Sequence, residues 1–148
     1  MSDTAKVEAN KATTERWTEI INSRDLEALP EVCQPNLVRH CPATPRVIVR
    51  SIEDFVAFLK EDLKAVPNSV ITLKMGVYEG DLGGFWANYS GTQTGQMGPF
   101  PPSGKRIDCD FAGIFRFEDG KIAEIWVTWD NIDILAGLGH ITPPGAEG

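Results

Sequence analysis

Imidazole, thiol and positive charge are all scarce in this chain. Its 148 residues include two histidines, His40 and His140, and three cysteines, Cys33, Cys41 and Cys109. Two imidazoles are too few for a histidine-rich metal site, and we expect no metal. An odd cysteine count with no Cys-x-x-Cys pair speaks against a disulfide framework or a structural zinc site. Reduced thiols and a cytoplasmic location follow as the plain expectation. Lysine and arginine number 14 against 21 acidic residues, for a net charge of −7. That surface repels phosphate backbones, so nucleic acid is not an expected partner. No apolar run approaches the length of a membrane span. The opening MSDTAKVEANK has no apolar segment of the kind a secretory signal needs. Neither an internal repeat nor a linker interrupts the chain.

What is present is a run of helical patterns followed by strand patterns. Residues 5 to 22 predict a helix carrying Trp17, Ile20 and Ile21, with a stripe thin enough towards its start to fray. Asp25 is placed to cap a short helix, Leu26 to Cys33. A strand is expected at Leu37 to His40 and a proline-containing loop at Cys41 to Arg50. Ser51-Ile52-Glu53-Asp54 resembles a capping box opening a helix to about Val66, with Ile52, Phe55, Leu59, Leu63 and Val66 on its apolar stripe. The period then changes to two. Ile71, Leu73, Met75 and Val77 alternate with polar neighbours, as do Phe85, Ala87 and Tyr89. A Pro/Gly-rich loop covers Gly95 to Gly104, and Asn131 to Leu138 predicts a last helical turn. Fraying is expected at about 1–4 and 140–148. Helices first and strands after argue one α+β domain over 1–148, with helices against a curved antiparallel sheet. Such a sheet curled round a long helix encloses a conical cavity suited to a small molecule.

The stretch Pro102 to Asp130 fixes the faces. Two alternating segments flank Glu118-Asp119-Gly120, a β-hairpin signal. A plain two-residue Asp-Gly turn would place odd positions of one strand beside even positions of the next. A three-residue loop with Gly120 as a bulge, setting Phe117 opposite Lys121, places odd beside odd. Only the second segregates the side chains. One face then holds Ile107, Cys109, Phe111, Gly113, Phe115 and Phe117 with Ala123, Ile125, Val127 and Trp129. The other holds Asp108, Asp110, Arg116, Glu124 and Thr128 with Ile114 and Trp126. A slip of one residue would reverse every side chain.

Several motifs in order resemble one family. GTQTG (Gly91 to Gly95), PPSGKRI (Pro101 to Ile107), IFRFEDGKIAEIW (Ile114 to Trp126), the Trp129-Asp130 pair and LAGLG (Leu135 to Gly139) are similar to the SnoaL-like polyketide cyclases. The Asp25-Leu26 step and His40 before Pro42 fit as well. The resemblance implies the cone-shaped α+β fold shared with ketosteroid isomerase and nuclear transport factor two, and a homodimer. It implies cofactor-free enzymes that close polyketide rings by aldol chemistry, with one carboxylate removing a carbon-bound proton next to a carbonyl. The family's acid/base Asp falls on Val127, its pocket His on Gly113 and a nearby Gln on Phe111. The wall is thus expected without its usual proton-handling groups, and the missing side chain at Gly113 could leave room for a bulky ligand.

Three polar residues remain as catalytic candidates. An imidazole can carry a proton at working pH, so His40 is a catalytic candidate, or it is a structural histidine at a strand end. Tyr89 can donate to a carbonyl or enolate oxygen, or pack as an amphipathic core residue. Asp130 can hold a raised pKa beside Trp129, or cap the last helix. Trp17, Phe55, Leu59, Phe111, Gly113, Val127 and Trp129 are the candidate lining. Cys109 faces inward as a small hydrophobe. The functional expectation is an enzyme acting on a hydrophobic oxygenated small molecule, or a binder whose cavity has outlived its chemistry.

Overall fold

The computed structural model describes residues 2–145. Helix α1 (Asp3–Ser23) opens on Ser2, whose Oγ accepts from the Ala5 N–H, and ends at Arg24 in the left-handed region. The helix is continuous through its thin stripe. Asn10 and Thr14 are buried, the Thr14 and Thr18 hydroxyls donate to carbonyls one turn back, and Thr13 also reaches the Gly120 carbonyl at 2.7 Å. Small polar side chains that satisfy themselves on their own helix can pack where apolar ones would be expected. A 3-10 turn (Leu26–Glu31) follows in place of the expected α-helix, and Asp25 makes no side-chain cap bond. Helix α2 (Ile52–Ala65) starts as expected, with Ser51 Oγ accepting from the Asp54 N–H at 3.1 Å.

The strands are β1 (Cys33–His40), β2 (Val70–Glu79), β3 (Leu82–Thr92), β4 (Arg106–Glu118) and β5 (Lys121–Thr128), and a short α3 (Asn131–Gly137) closes the chain. They form one curved, unclosed sheet in the order β1-β5-β4-β3-β2. The expected antiparallel meander holds for β2 to β5. The exception is β1, which starts earlier than expected and lies parallel to β5 at the far edge, with Arg39 beside Ile125 and His40 beside Trp126. The sheet is therefore mixed. Among the described residues no helix is long and apolar enough to cross a membrane.

The hairpin reaches the expected faces by a different device. Glu118 pairs with Lys121 across a two-residue turn, with Asp119 at φ 52° and Gly120 at φ 76°. Two positive φ values make the type I′ geometry that matches strand twist, and Asp-Gly suits it. The bulge lies further on. Phe117 faces Ile122 but Arg116 faces Glu124, so Ala123 is the extra residue on β5. From there Gly113 faces Val127 and odd positions share a face, as the segregation required. A second irregularity between Leu73 and Met75 on β2 breaks that strand's expected alternation and leaves Met75 and Val77 exposed at 67% and 73%. Bulges of this kind bend a strand and add twist, which is how an open sheet curls.

The concave face packs on α1 and α2. Trp17, Phe85, Phe115 and Phe117 form a chain of aromatic contacts at its base, with Ile20, Leu29, Leu37, Phe55 and Ile122 around them. A smaller cluster of Ala65, Val66, Ile107, Cys109 and Leu138 sits at the other end, with Tyr89 against it.

Candidate active site

Helix α2 presents Phe55, Leu59 and Asp62 to the sheet at intervals of four and three residues. Strand β3 presents Phe85, Ala87 and Tyr89 from below, one side chain in two. The two series meet where the Tyr89 hydroxyl donates to Asp62 Oδ2 at 3.0 Å. Burial pushes the Asp62 carboxyl above its ordinary value, against the opposing pull of the Tyr89 bond and the positive charges of Arg39 and Arg24. Burial, the Asp62 charge and the shared hydrogen bond push the Tyr89 phenol up as well. A desolvated carboxylate held on a phenol is a stronger base than one in water.

Arg39 enters from β1. It follows Leu37 by two residues and shares its inward direction, leaving the residue 8% exposed. Its guanidinium lies 4.1 Å above the Phe58 ring and 5.8 Å from the Trp129 ring. Among the described residues its guanidinium makes one hydrogen bond to oxygen, a long one, 3.4 Å from Nη1 to the Thr44 hydroxyl. Burial pushes its pKa down, and the Cys41 thiol and the Asp62 charge partly offset that.

The sequence candidates divide around this cluster. Tyr89 belongs to it. His40 does not: it is on the outer side of β1, half exposed, bonded to Glu124 Oε2 at 2.6 Å and stacked on Trp126. The inward parity of β1 runs through the odd positions, Leu37 and Arg39, which puts His40 on the side opposite to the one expected. Asp130 is the N-cap of α3, accepting from the Ile132 and Asp133 N–H groups at 2.9 and 3.1 Å. That exposed carboxylate caps the helix. Trp17, Phe55 and Leu59 are buried core, and Trp17 Nε1 finds no acceptor there. Val127 is buried facing Gly113, while Phe111 and Trp129 are half-buried. The room expected at Gly113 is already taken. A Cβ there would fall 2.6 Å from Phe85 Cζ, because Phe85 leans across its cross-strand partner.

Asp62 and Arg39 were not singled out from the sequence. Asp62 interrupts the α2 stripe between Leu59 and Val66, and a carboxylate at a core-facing position was a readable signal. Arg39 was hidden by the parity error on β1. Two open clefts of about 450 and 560 Å³ also mark the surface, one between α1 and β2 beside Lys11 and Leu73, the other between the 3-10 turn and α2 beside Leu26 and Val56. Neither contains Asp62, Tyr89 or Arg39, and neither gathers comparable chemistry.

A curved sheet wrapped on two helices, with a partly buried carboxylate and phenol and a buried guanidinium on its concave face, defines a cone-fold protein. The SnoaL-like polyketide cyclase family model matches residues 11–138, and the chain belongs to that family. Among solved structures it is similar to IdmH of Streptomyces antibioticus, a candidate polyketide cyclase. The identity is 29%, over 88% of this chain and 98% of that one, with a TM-score of 0.78. TsrD of Streptomyces laurentii is 28% identical over 95% of this chain and all of that one, with a TM-score of 0.80. A candidate SnoaL-like cyclase from Jannaschia sp. CCS1, at 20% identity over 97% and 99% of the two chains and a TM-score of 0.85, shares the fold. No curated protein matches.

Proposed function

We propose that this protein is a cofactor-free enzyme that moves a proton on a hydrophobic, oxygenated small molecule, with Asp62 as the base and Tyr89 as its partner. The observation that carries this is the partly buried Asp62–Tyr89 hydrogen bond on the concave face. The Asp62 carboxylate takes a carbon-bound proton next to a carbonyl. The new Asp62 O–H then donates to Tyr89 Oη, which frees the Tyr89 O–H for the enolate oxygen. A phenol aimed at developing charge in a dry site lowers the barrier without reorganising water. Aldol cyclisation, isomerisation, dehydration and hydrolysis are all open to such a pair. The lining is Phe111, Val127 and Trp129. Three free cysteines fit a reducing compartment such as the cytoplasm. The outer sheet face, with Trp86, Ile114 and Trp126 exposed, would pair two copies as a homodimer.

The test is exchange of the α-carbon protons of a cyclic monoketone, α-tetralone, in D2O, followed by NMR. The wild-type protein accelerates exchange, and Asp62→Asn reduces the rate by about 10²-fold or more, the usual scale of general-base catalysis. Equal rates for both would remove Asp62 from the chemistry. Val127 and the Phe85 ring over Gly113 favour a second reading, a binder without turnover. That reading predicts ligand binding with no exchange above background.

A further inference from the structure

Arg39 is a cation more than nine-tenths buried that has no anionic partner. Among the described residues it makes no ion pair within 4.0 Å. The nearby carboxylate, Asp62, acts on it only through space and is already bonded to Tyr89. The other arginine whose charge reaches Asp62, Arg24, is committed to the Ile21, Asn22 and Pro67 carbonyls. Arg39 has no such commitment. One long bond to Thr44 and the Cys41 thiol leave most of its donors unused. The rings of Phe58 and Trp129 hold its plane and compensate part of its desolvation. They supply no acceptor.

We propose that the ligand is a carboxylic acid, and that Arg39 binds its carboxylate. This rests on the acid/base reading of the same concave face and specifies what enters it. The guanidinium is a rigid planar fork that matches one carboxylate through two parallel N–H donors. A single cation with Asp62 close by suits a monoanion and disfavours a phosphate dianion. Two aromatic walls beside that fork suit an acid attached to a flat ring system. The carboxylate anchors at Arg39, and the body of the molecule extends towards Asp62 and Tyr89.

The experiment compares anthraquinone-2-carboxylate with its methyl ester by titration calorimetry on the full chain. The wild-type protein binds the acid at least ten-fold more tightly than the ester. Arg39→Gln abolishes that preference, whereas Asp62→Asn keeps it. Should Arg39→Gln fail to fold, Arg39→Lys serves, retaining charge but losing the fork and most of the preference. Equal or tighter ester binding by the wild-type protein, binding of neither compound, or an unchanged preference in the Arg39 variants overturns the proposal. A protein that catalyses exchange yet prefers the ester loses only the carboxylate. One that prefers the acid without exchange loses only the Asp62 chemistry.

Discussion

Leu37, Arg39 and His40 show how much one residue of strand parity decides. His40 faces outward, where Glu124 and Arg116 complete a surface network. The hydrogen bond from His40, helped by Arg116, holds the Glu124 carboxyl below its ordinary value. An exposed pair of this kind contributes roughly 1 kcal/mol or less. His40→Ala is therefore expected to leave proton exchange within about two-fold of wild type, against the 10²-fold scale on which catalytic bases act. Asp62 has the opposite signature. Its folded pKa lies above the unfolded value near 3.8, so the folded state binds more protons once pH exceeds that value. Stability contributed by the protonated form is full below it and is lost as pH rises through the folded pKa. Asp62→Asn removes this dependence. Thermal melts from pH 4 to 8 should show the variant gaining stability relative to wild type as pH rises. A difference flat across that range would mean the carboxylate is not desolvated. The sequence allowed this residue to be found, since a carboxylate between Leu59 and Val66 breaks an apolar stripe. It did not disclose Tyr89 as the partner, because that contact joins positions 27 residues apart.

At the scale of elements, alternation determined which faces the β4–β5 side chains take but not how the chain achieves it. A three-residue loop and a two-residue turn with a bulge at Ala123 yield the same parity, so the pattern alone leaves the bulge unplaced. Asp119-Gly120 favours the tight turn on local grounds, since both residues tolerate positive φ. Removing Ala123 tests the arrangement. Deletion would give an uninterrupted ladder with Glu124 still opposite Arg116 and Ile125 still opposite Phe115, so the variant is expected to keep its faces and unfold cooperatively by circular dichroism. Loss of cooperative unfolding would mean that Ala123 is not the extra residue. Parallel pairing of β1 with β5 was not legible, because strand order depends on where the connections run. Phe85 and Gly113 give a finer test. Gly113→Ala forces a methyl against Phe85 Cζ and the Trp126 carbonyl oxygen, 2.6 and 2.9 Å from its ideal position. Overpacking at such a site costs about 1–3 kcal/mol. Phe85→Leu should relieve part of it, and a double-mutant cycle by urea denaturation should return a coupling of at least about 0.5 kcal/mol. Strict additivity would mean the two residues do not share that space.

Over the whole molecule, the two sides of the sheet have different tasks. The concave side is apolar and holds the cluster of Asp62, Tyr89 and Arg39. The convex side mixes charge with large apolar groups: Trp86, Ile114 and Trp126 are 43%, 47% and 39% exposed. Polar partners hold the surrounding side chains in place. Trp86 donates to Asp110, Lys74 pairs with Asp110, Asn88 bridges Asp108 and Asp110, and His40 lies flat on Trp126. Side chains already ordered this way lose little freedom when covered, which lowers the cost of association. Ile114 and Trp126 are cross-strand partners on central strands, so a second copy seated on this face would bury them near its middle. Contacts at such a position dominate affinity, and losing one typically costs about 2 kcal/mol or more. The dimer proposed above therefore predicts a specific response. Sedimentation equilibrium should find two copies for the wild-type protein. Ile114→Glu combined with Trp126→Glu should weaken association by about 30-fold or more, as a loss of about 2 kcal/mol requires, with unchanged circular dichroism. Met75→Lys, on the edge strand β2 away from that centre, should leave the dimer intact. A wild-type protein that sediments as a monomer would rule the dimer out, and a double variant that remains dimeric would move the interface off this face.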